Sequence, residues 1–191
     1  ALASSFPSGS VFLAVVDPGV GTPRDAVVVI AGGRWFVGPD NGLLSVVAAR
    51  HADARLWRIV WQPEGLSSTF HGRDLFAPIA ADIARGEFPA DKLIPIDKLN
   101  VEFDAGDLAR VIYIDHYGNA WTGVRGVPQD ARVSAAGERF RHGESFGFAG
   151  KGEGFWFNNS AGLLELAVNR GSAAAAFGLK VGDPVQVQRL N

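Results

Sequence analysis

Two uninterrupted apolar runs, VFLAVV (11–16) and AVVVIAG (26–32), constrain the fold of this 191-residue chain more than any other feature. Both are rich in β-branched residues and neither alternates with polar ones, the pattern of strands covered on both faces. A third run, RLWRIVW (55–61), alternates more. Between them PDNGLLSVVAARH (39–51) opens on Asp and Asn capping residues and then turns apolar at helical spacing. GRDLFAPIAADIARGEFP (72–89) sets Leu75, Phe76, Ile79, Ala80 and Ile83 on one stripe, with Pro78 in an early turn and Gly86 past the end. Strands that need cover, alternating with helices that have one apolar face, predict an α/β layered, Rossmann-like N-terminal domain. The opening ALASSFPSGS reads as the tail of a helix and a turn, so this domain is expected to be truncated at its start.

From about residue 104 the texture changes. Short strand candidates at 108–115, 119–124, 131–137, 138–142, 154–159 and 184–190 are separated by glycine-bearing turns, with one helical turn near 172–177. The expectation is an α/β domain over 1–103 and a small β domain, barrel or sandwich, over 104–191, with the proline- and charge-rich stretch at about 88–107 as linker.

Charge and composition narrow the function classes. A net charge of −2 with no block of Lys or Arg gives no footprint for nucleic acid. The longest apolar runs are too short to span a bilayer and no basic-then-apolar leader precedes them, so no membrane partner and a cytoplasmic location are expected. The absence of cysteine excludes disulfides, thiolate nucleophiles and Cys-ligated zinc. Histidines 51, 71, 116 and 142 form no H-x-x-x-H pair, so no metal site is expected.

The candidates for chemistry fall in two groups. Asp17 stands where VFLAVV ends, and ligands of α/β sheets gather beyond the carboxyl ends of strands, although an aspartate before Pro18 also serves as a plain turn former. Glycines 19 and 21 allow the loop to fold back and bring Arg24 to Asp17, where a guanidinium would hold the carboxylate ionised and fixed in direction. His71, in STFHGRDLFAP, lies just ahead of a helix, where backbone N–H groups converge; Asp74 reads as first-turn capping. In the β domain Asp115, His116, Tyr117 and Asn119 crowd one tight turn of YIDHYGNAWTG, offering an anion for an ammonium group, a ring for stacking and an amide for a base edge. Ser160 precedes another glycine-bearing turn. GKGEG (150–154) lacks phosphate-loop spacing, and GVG (19–21) is a fragment of a dinucleotide fingerprint.

Taken in order, VVDPGVGTPR, GPDNGLL, TFHGRDLFAP, IDHYGN and NSAGLLELAVNRGSAA resemble the S-adenosylmethionine hydroxide adenosyltransferases, relatives of the S-adenosylmethionine-dependent fluorinase and chlorinase. The resemblance implies hydrolysis of S-adenosyl-L-methionine to adenosine and L-methionine, with that molecule as substrate and no cofactor. It implies an α/β domain followed by a β-barrel, and a homotrimer with its active sites between subunits. The family's Asp-Arg-His set falls on Asp17, Arg24 and His71. By the same carry-over Asp115 takes the methionine ammonium, Ser160 its carboxylate and Asn119 an adenine edge, Tyr117 and Phe148 form aromatic walls, and the backbone near Arg170 reads the adenine. Halide users carry other side chains where Asp17, His71 and Gly72 stand, which implies a water user here. In two respects the chain departs from the pattern: the family's opening strand has no counterpart before Ala1, and Ala161 stands where the fluorinase has an arginine. The rival expectations are a non-catalytic binder of S-adenosylmethionine or adenosine and a halide-dependent adenosyltransferase.

Overall fold

The computed structural model describes residues 2–189, which divide into two compact units, one over residues 3–105 and the other from Gly106 onward. No helix among the described residues is long and apolar enough to cross a membrane.

The first unit is built on a five-stranded sheet in the order β1 (Val11–Leu13), β3 (Arg34–Pro39), β2 (Ala26–Ala31), β4 (Arg55–Ile59), β5 (Leu93–Ile96). AVVVIA becomes β2 at its centre, and its alternate residues serve two cores. Val28 faces α2 (Ala77–Ala84) with Phe76, Ile79 and Ile83, while Val27, Val29 and Ala31 face Leu44 ahead of α1 (Ser45–Ala49). The layering therefore follows from a strand buried on both sides.

Strand direction and the strand at the sheet's edge needed more than the apolar pattern. Gly32 and Gly33, at φ of 55° and 72°, make a two-residue turn that folds β3 back on β2, pairing Ala31 with Arg34 through Ala26 with Pro39, so RWFVGP is an antiparallel strand that the apolar pattern did not predict. Only β1 and β3 run parallel within this sheet. VFLAVV is paired over three residues, has β3 as its sole neighbour, and is half-buried, with Val16 exposed; the two-sided cover expected for it is absent because it is the edge strand. Asp40 and Asn41 do not cap α1, which starts four residues later. The buried Asp40 carboxylate instead accepts the N–H of Asn100 at 2.8 Å, and Asn41 donates to the Val16 carbonyl at 2.7 Å. The helix expected from residue 72 forms with a wide first turn over Gly72–Phe76, directly ahead of Pro78, which has no N–H to return to Asp74. The stretch at 88–107 carries β5 and lies almost entirely within this unit.

The second unit is a seven-stranded sheet in the order β12 (Val185–Gln188), β8 (Arg132–Ala135), β9 (Glu138–His142), β10 (Gly154–Asn158), β11 (Leu163–Val168), β7 (Ala120–Arg125), β6 (Leu108–Ile114). It curls until its ends nearly meet: Val111 donates to the Asp183 carbonyl at 2.9 Å and Gly182 to the Val111 carbonyl at 2.8 Å. The result is a nearly closed barrel around Trp156, Leu164, Leu166 and Phe140. All six residues of β11 are buried, and LLELAV was not among the strands expected from sequence. The helical turn near 172–177 is α3 (Ala173–Phe177), capped by the Ser172 hydroxyl, which accepts the Ala175 N–H at 3.1 Å.

Candidate active site

The loop after β1 returns on itself by way of Gly21, whose φ is 77° and whose missing side chain makes room for the Ser68 carbonyl; a Cβ there would stand 2.7 Å from that oxygen. This seats the 17–24 loop against the segment leading to His71. The Arg24 guanidinium then grips the Asp17 carboxylate with two groups. Nε donates to Oδ1 at 2.9 Å and Oδ2 at 3.1 Å, and Nη2 donates to Oδ2. The same Nη2 lies 3.0 Å from His71 Nδ1, and Nη1 donates to the Asp25 carbonyl at 3.2 Å. The guanidinium carbon stands 5.1 Å from the centre of the Phe76 ring.

Because a guanidinium can only donate, His71 Nδ1 is the acceptor and the ring's proton sits on Nε2. The side chains of Asp17 and Arg24 are 5% and 10% exposed, so the ion pair is shielded enough to be held in one geometry yet still open at one edge. Asp17, Arg24 and His71 thus come together as one hydrogen-bonded cluster, from two loops of one sheet layer. Asp74 does not join it: its carboxylate accepts the Ser67 N–H at 3.1 Å and is held below its ordinary value, chiefly by the hydrogen bond from Arg73.

The β unit has its own cavity, of about 660 Å³, within the range of small-molecule sites. Asp115, Tyr117 and Asn119 line it from the turn between β6 and β7, and Phe146, Val168 and Arg170 from the other side. The turn is built around the Asp115 carboxylate, whose Oδ1 accepts the N–H groups of Tyr117 and Asn119, each at 2.9 Å, while Asn119 Nδ2 donates to Oδ2 at 3.2 Å. Arg170, also in the lining, has its backbone in the left-handed region, at φ of 57°, a conformation uncommon outside glycine.

Of the remaining sequence candidates, Ser160 and Phe148 lie outside the lining. Ser160 is exposed on the loop between β10 and β11, and Phe148 is 59% exposed, with Phe146 in the wall instead. His116 packs edge-on to Tyr117. Among the described residues no group of three or more acidic, histidine or cysteine side chains is placed to hold a metal ion.

Sequence reasoning missed Glu165 and Asn159. Glu165 is 4% exposed in the middle of β11; burial pushes its carboxyl above the usual range, and the charge of Asp115 adds to that. A lone acid inside LLELAV was the available signal, since an apolar strand core tolerates a carboxyl only when partners are supplied. Trp121, on the strand beside it, keeps a buried indole N–H with no hydrogen-bond partner among the described residues.

Comparison with known proteins adds an independent line. Residues 1–93 match the profile of the SAM hydroxide adenosyltransferase N-terminal domain, and residues 109–186 that of the C-terminal domain. A (R)-S-adenosyl-L-methionine hydrolase of Thermus thermophilus is 40% identical over 95% of this chain and 76% of its own length. A protein of the same name from Salinispora tropica is 38% identical over 93% of this chain and 74% of its own. Among solved structures, an uncharacterized conserved protein from Thermotoga maritima superposes with a TM-score of 0.84 at 32% identity, covering 98% of this chain and 80% of that one.

Proposed function

Given that the chain belongs to the SAM hydroxide adenosyltransferase family, we propose that it hydrolyses S-adenosyl-L-methionine to adenosine and L-methionine by in-line attack of an activated water at C5′. The observation that carries the catalytic part of this reading is the hydrogen-bonded cluster of Asp17, Arg24 and His71.

The chemistry asks for little covalent help. Water's oxygen forms a bond to C5′ as the C5′–S bond breaks, its electron pair leaving with sulfur; the sulfonium cation becomes a neutral thioether, and one proton must be removed. Charge is dissipated along the way, so a site poor in water favours the transition state over the solvated cation. Bulk water, with a pKa near 15.7, is a poor nucleophile. Asp17 accepts the proton as attack proceeds, Arg24 holds the carboxylate in direction, and His71, protonated on Nε2, serves as a donor that orients the water. General-base assistance supplies roughly two to four powers of ten, and alignment supplies the rest.

Asp115 takes the methionine ammonium, Asn119 an adenine edge, and Tyr117 a stacking surface, and the backbone near Arg170 reads the adenine. Ser160 is assigned the methionine carboxylate and Phe148 an aromatic wall, roles that require both to turn toward the substrate from outside the lining. The chain acts as a homotrimer in which the Asp17 cluster of one subunit works with the β-unit cavity of the next. Exposed apolar groups flank both features, Val16 at 68% and Phe70 at 56% beside the cluster, Tyr117 at 76% beside the cavity, as an interface between copies requires. Light scattering that returns a monomer at working concentration overturns the trimer.

The relatives' names specify the R configuration at sulfur, and the same epimer is the substrate proposed here. The test is incubation with each sulfur epimer, followed by assay of adenosine and methionine. Formation of both from the R epimer is expected. Intact substrate, or a 5′-halo product appearing only with added chloride or fluoride, overturns the reading in favour of a binder or a halide user respectively.

A further inference from the structure

We propose that Glu165 is a positioning residue for substrate binding: its carboxylate fixes the side-chain amide of Asn159, and through it the loop bearing Ser160, beside the turn bearing Asp115. The proposal rests on the reading above in which Asp115 and Ser160 hold the methionine end of the substrate.

Glu165 lies at the middle of a strand whose six residues are all buried. It pairs in register with Trp121 of β7 and Phe157 of β10, so its side chain shares their face of the sheet, while Leu164 and Leu166 point into the barrel core. Asn159 Nδ2 donates to Glu165 Oε2 at 3.0 Å. The other end of that amide, Oδ1, accepts the N–H groups of Ala161 and Leu163, each at 3.0 Å, and so ties down the loop on either side of its tip. Asn119, whose Nδ2 donates to Asp115 Oδ2 at 3.2 Å, is the second polar group beside the Glu165 carboxyl and favours its ionised form. One carboxyl thus accepts from the asparagine that orders the loop bearing Ser160 and lies against the asparagine that braces Asp115.

An apolar residue of similar size would fill this volume without the desolvation cost of an acid, so the packing alone gives no reason for a carboxyl here. A glutamine is nearly isosteric but neutral, so it loses the charge that strengthens the bond from Asn159. The charged group set against Glu165 is Asp115 in the turn before β7; Asn119 of that turn and Asn159 of the β10–β11 loop are the polar groups, and Trp121 and Phe157 flank it. Burial pushes the Glu165 carboxyl up and Asp115 adds to it, so protonation of Glu165, and loss of its acceptor role, comes at higher pH than for an exposed glutamate.

The experiment compares wild type, Glu165→Gln, Asn159→Asp and Asp115→Asn in the whole chain, reading KM and kcat for S-adenosylmethionine, inhibition by methionine, and the dependence of KM on pH. Glu165→Gln is expected to raise KM about tenfold, the worth of one charge-assisted hydrogen bond, and to weaken methionine inhibition in parallel, with kcat changed by less than about twofold. In wild type KM rises on acidification at a pH above the ordinary carboxylate range; that inflection disappears in Glu165→Gln and moves down in Asp115→Asn. Asn159→Asp, which removes the donor to Glu165 but keeps its acceptors, raises KM likewise and carries the test should Glu165→Gln not fold. Wild-type KM and pH profile in Glu165→Gln, beside a defective Asp115→Asn, overturn the proposal alone. An unchanged KM in Asp115→Asn overturns the reading of the cavity, and the proposal with it.

Discussion

Arg24 Nη2 stands 3.0 Å from His71 Nδ1 while also donating to the Asp17 carboxylate, so one guanidinium joins an acid and an imidazole that lie on different loops. The ring receives this contact and cannot act as a base through that nitrogen. In the proposed mechanism proton acceptance is accordingly assigned to Asp17, and the three side chains are given separate duties.

Asp17→Asn tests the acid. The amide keeps size and most contacts, so KM should change by less than about threefold, while kcat falls by about two to four powers of ten, the usual share of a general base. Turnover equal to wild type would remove Asp17 from the role of base.

Arg24→Lys separates charge from geometry. An ammonium keeps the positive charge but cannot present Nε and Nη2 together to Asp17 and reach His71 as well. Activity should drop at least about a hundredfold from misplacement of the acid and the water, whereas Arg24→Ala, which leaves the buried Asp17 without its partner, should also cost about 3–5 kcal/mol in chemical denaturation.

Two glycines of the same loop should respond in opposite ways. At Gly21 a side chain meets the Ser68 carbonyl and a φ of 77°, so Gly21→Ala is expected to destabilise by about 1–3 kcal/mol and to abolish most activity by displacing Arg24. At Gly19 a Cβ would find ordinary contacts, 3.4 Å or more away, and Gly19→Ala should melt near wild type with activity retained. Equal behaviour of the two variants in melting and turnover would contradict the loop's geometry.

Lys92 Nζ donates to Asp82 Oδ2 at 2.8 Å, and this bond, more than any other influence, holds the Asp82 carboxyl below its ordinary value of 3.8. A depressed folded-state value contributes stability above the unfolded value and loses it as pH falls through the folded one. Asp82→Asn should lower stability at neutral pH by about 0.2–1 kcal/mol, the range of partly exposed pairs, and the deficit should close in urea titrations as pH falls below the ordinary carboxylate range.

The legible parts of the chain are those where local pattern and burial agree. AVVVIA became the central strand because its residues are buried on both faces, and the stripe from Leu75 to Ile83 became the helix packed on it. VFLAVV has the same look but ends at an edge, since the number of neighbours a strand acquires is a property of the sheet and not of the run. β3 and β11 were illegible for a related reason: RWFVGP and LLELAV carry glycine, proline or an internal acid that dilute the pattern, and pairing with neighbours on both sides overrides it. At the site, Asp17 and Arg24 could be joined from glycine spacing alone. His71 came to them through the motif resemblance, because a contact between positions 47 apart leaves no local trace. The partner of Glu165, Asn159, stands on the loop before the strand, and nothing within the strand that carries the acid announces it.

The left-handed backbone at Arg170 also decides what a saturation library at that codon would return. Survivors should sort by main-chain tolerance, with glycine and asparagine enriched and valine, isoleucine and threonine purged, whatever charge the newcomer brings. The guanidinium at this position would then be interchangeable, and heredity there would track a torsion angle instead of a functional group.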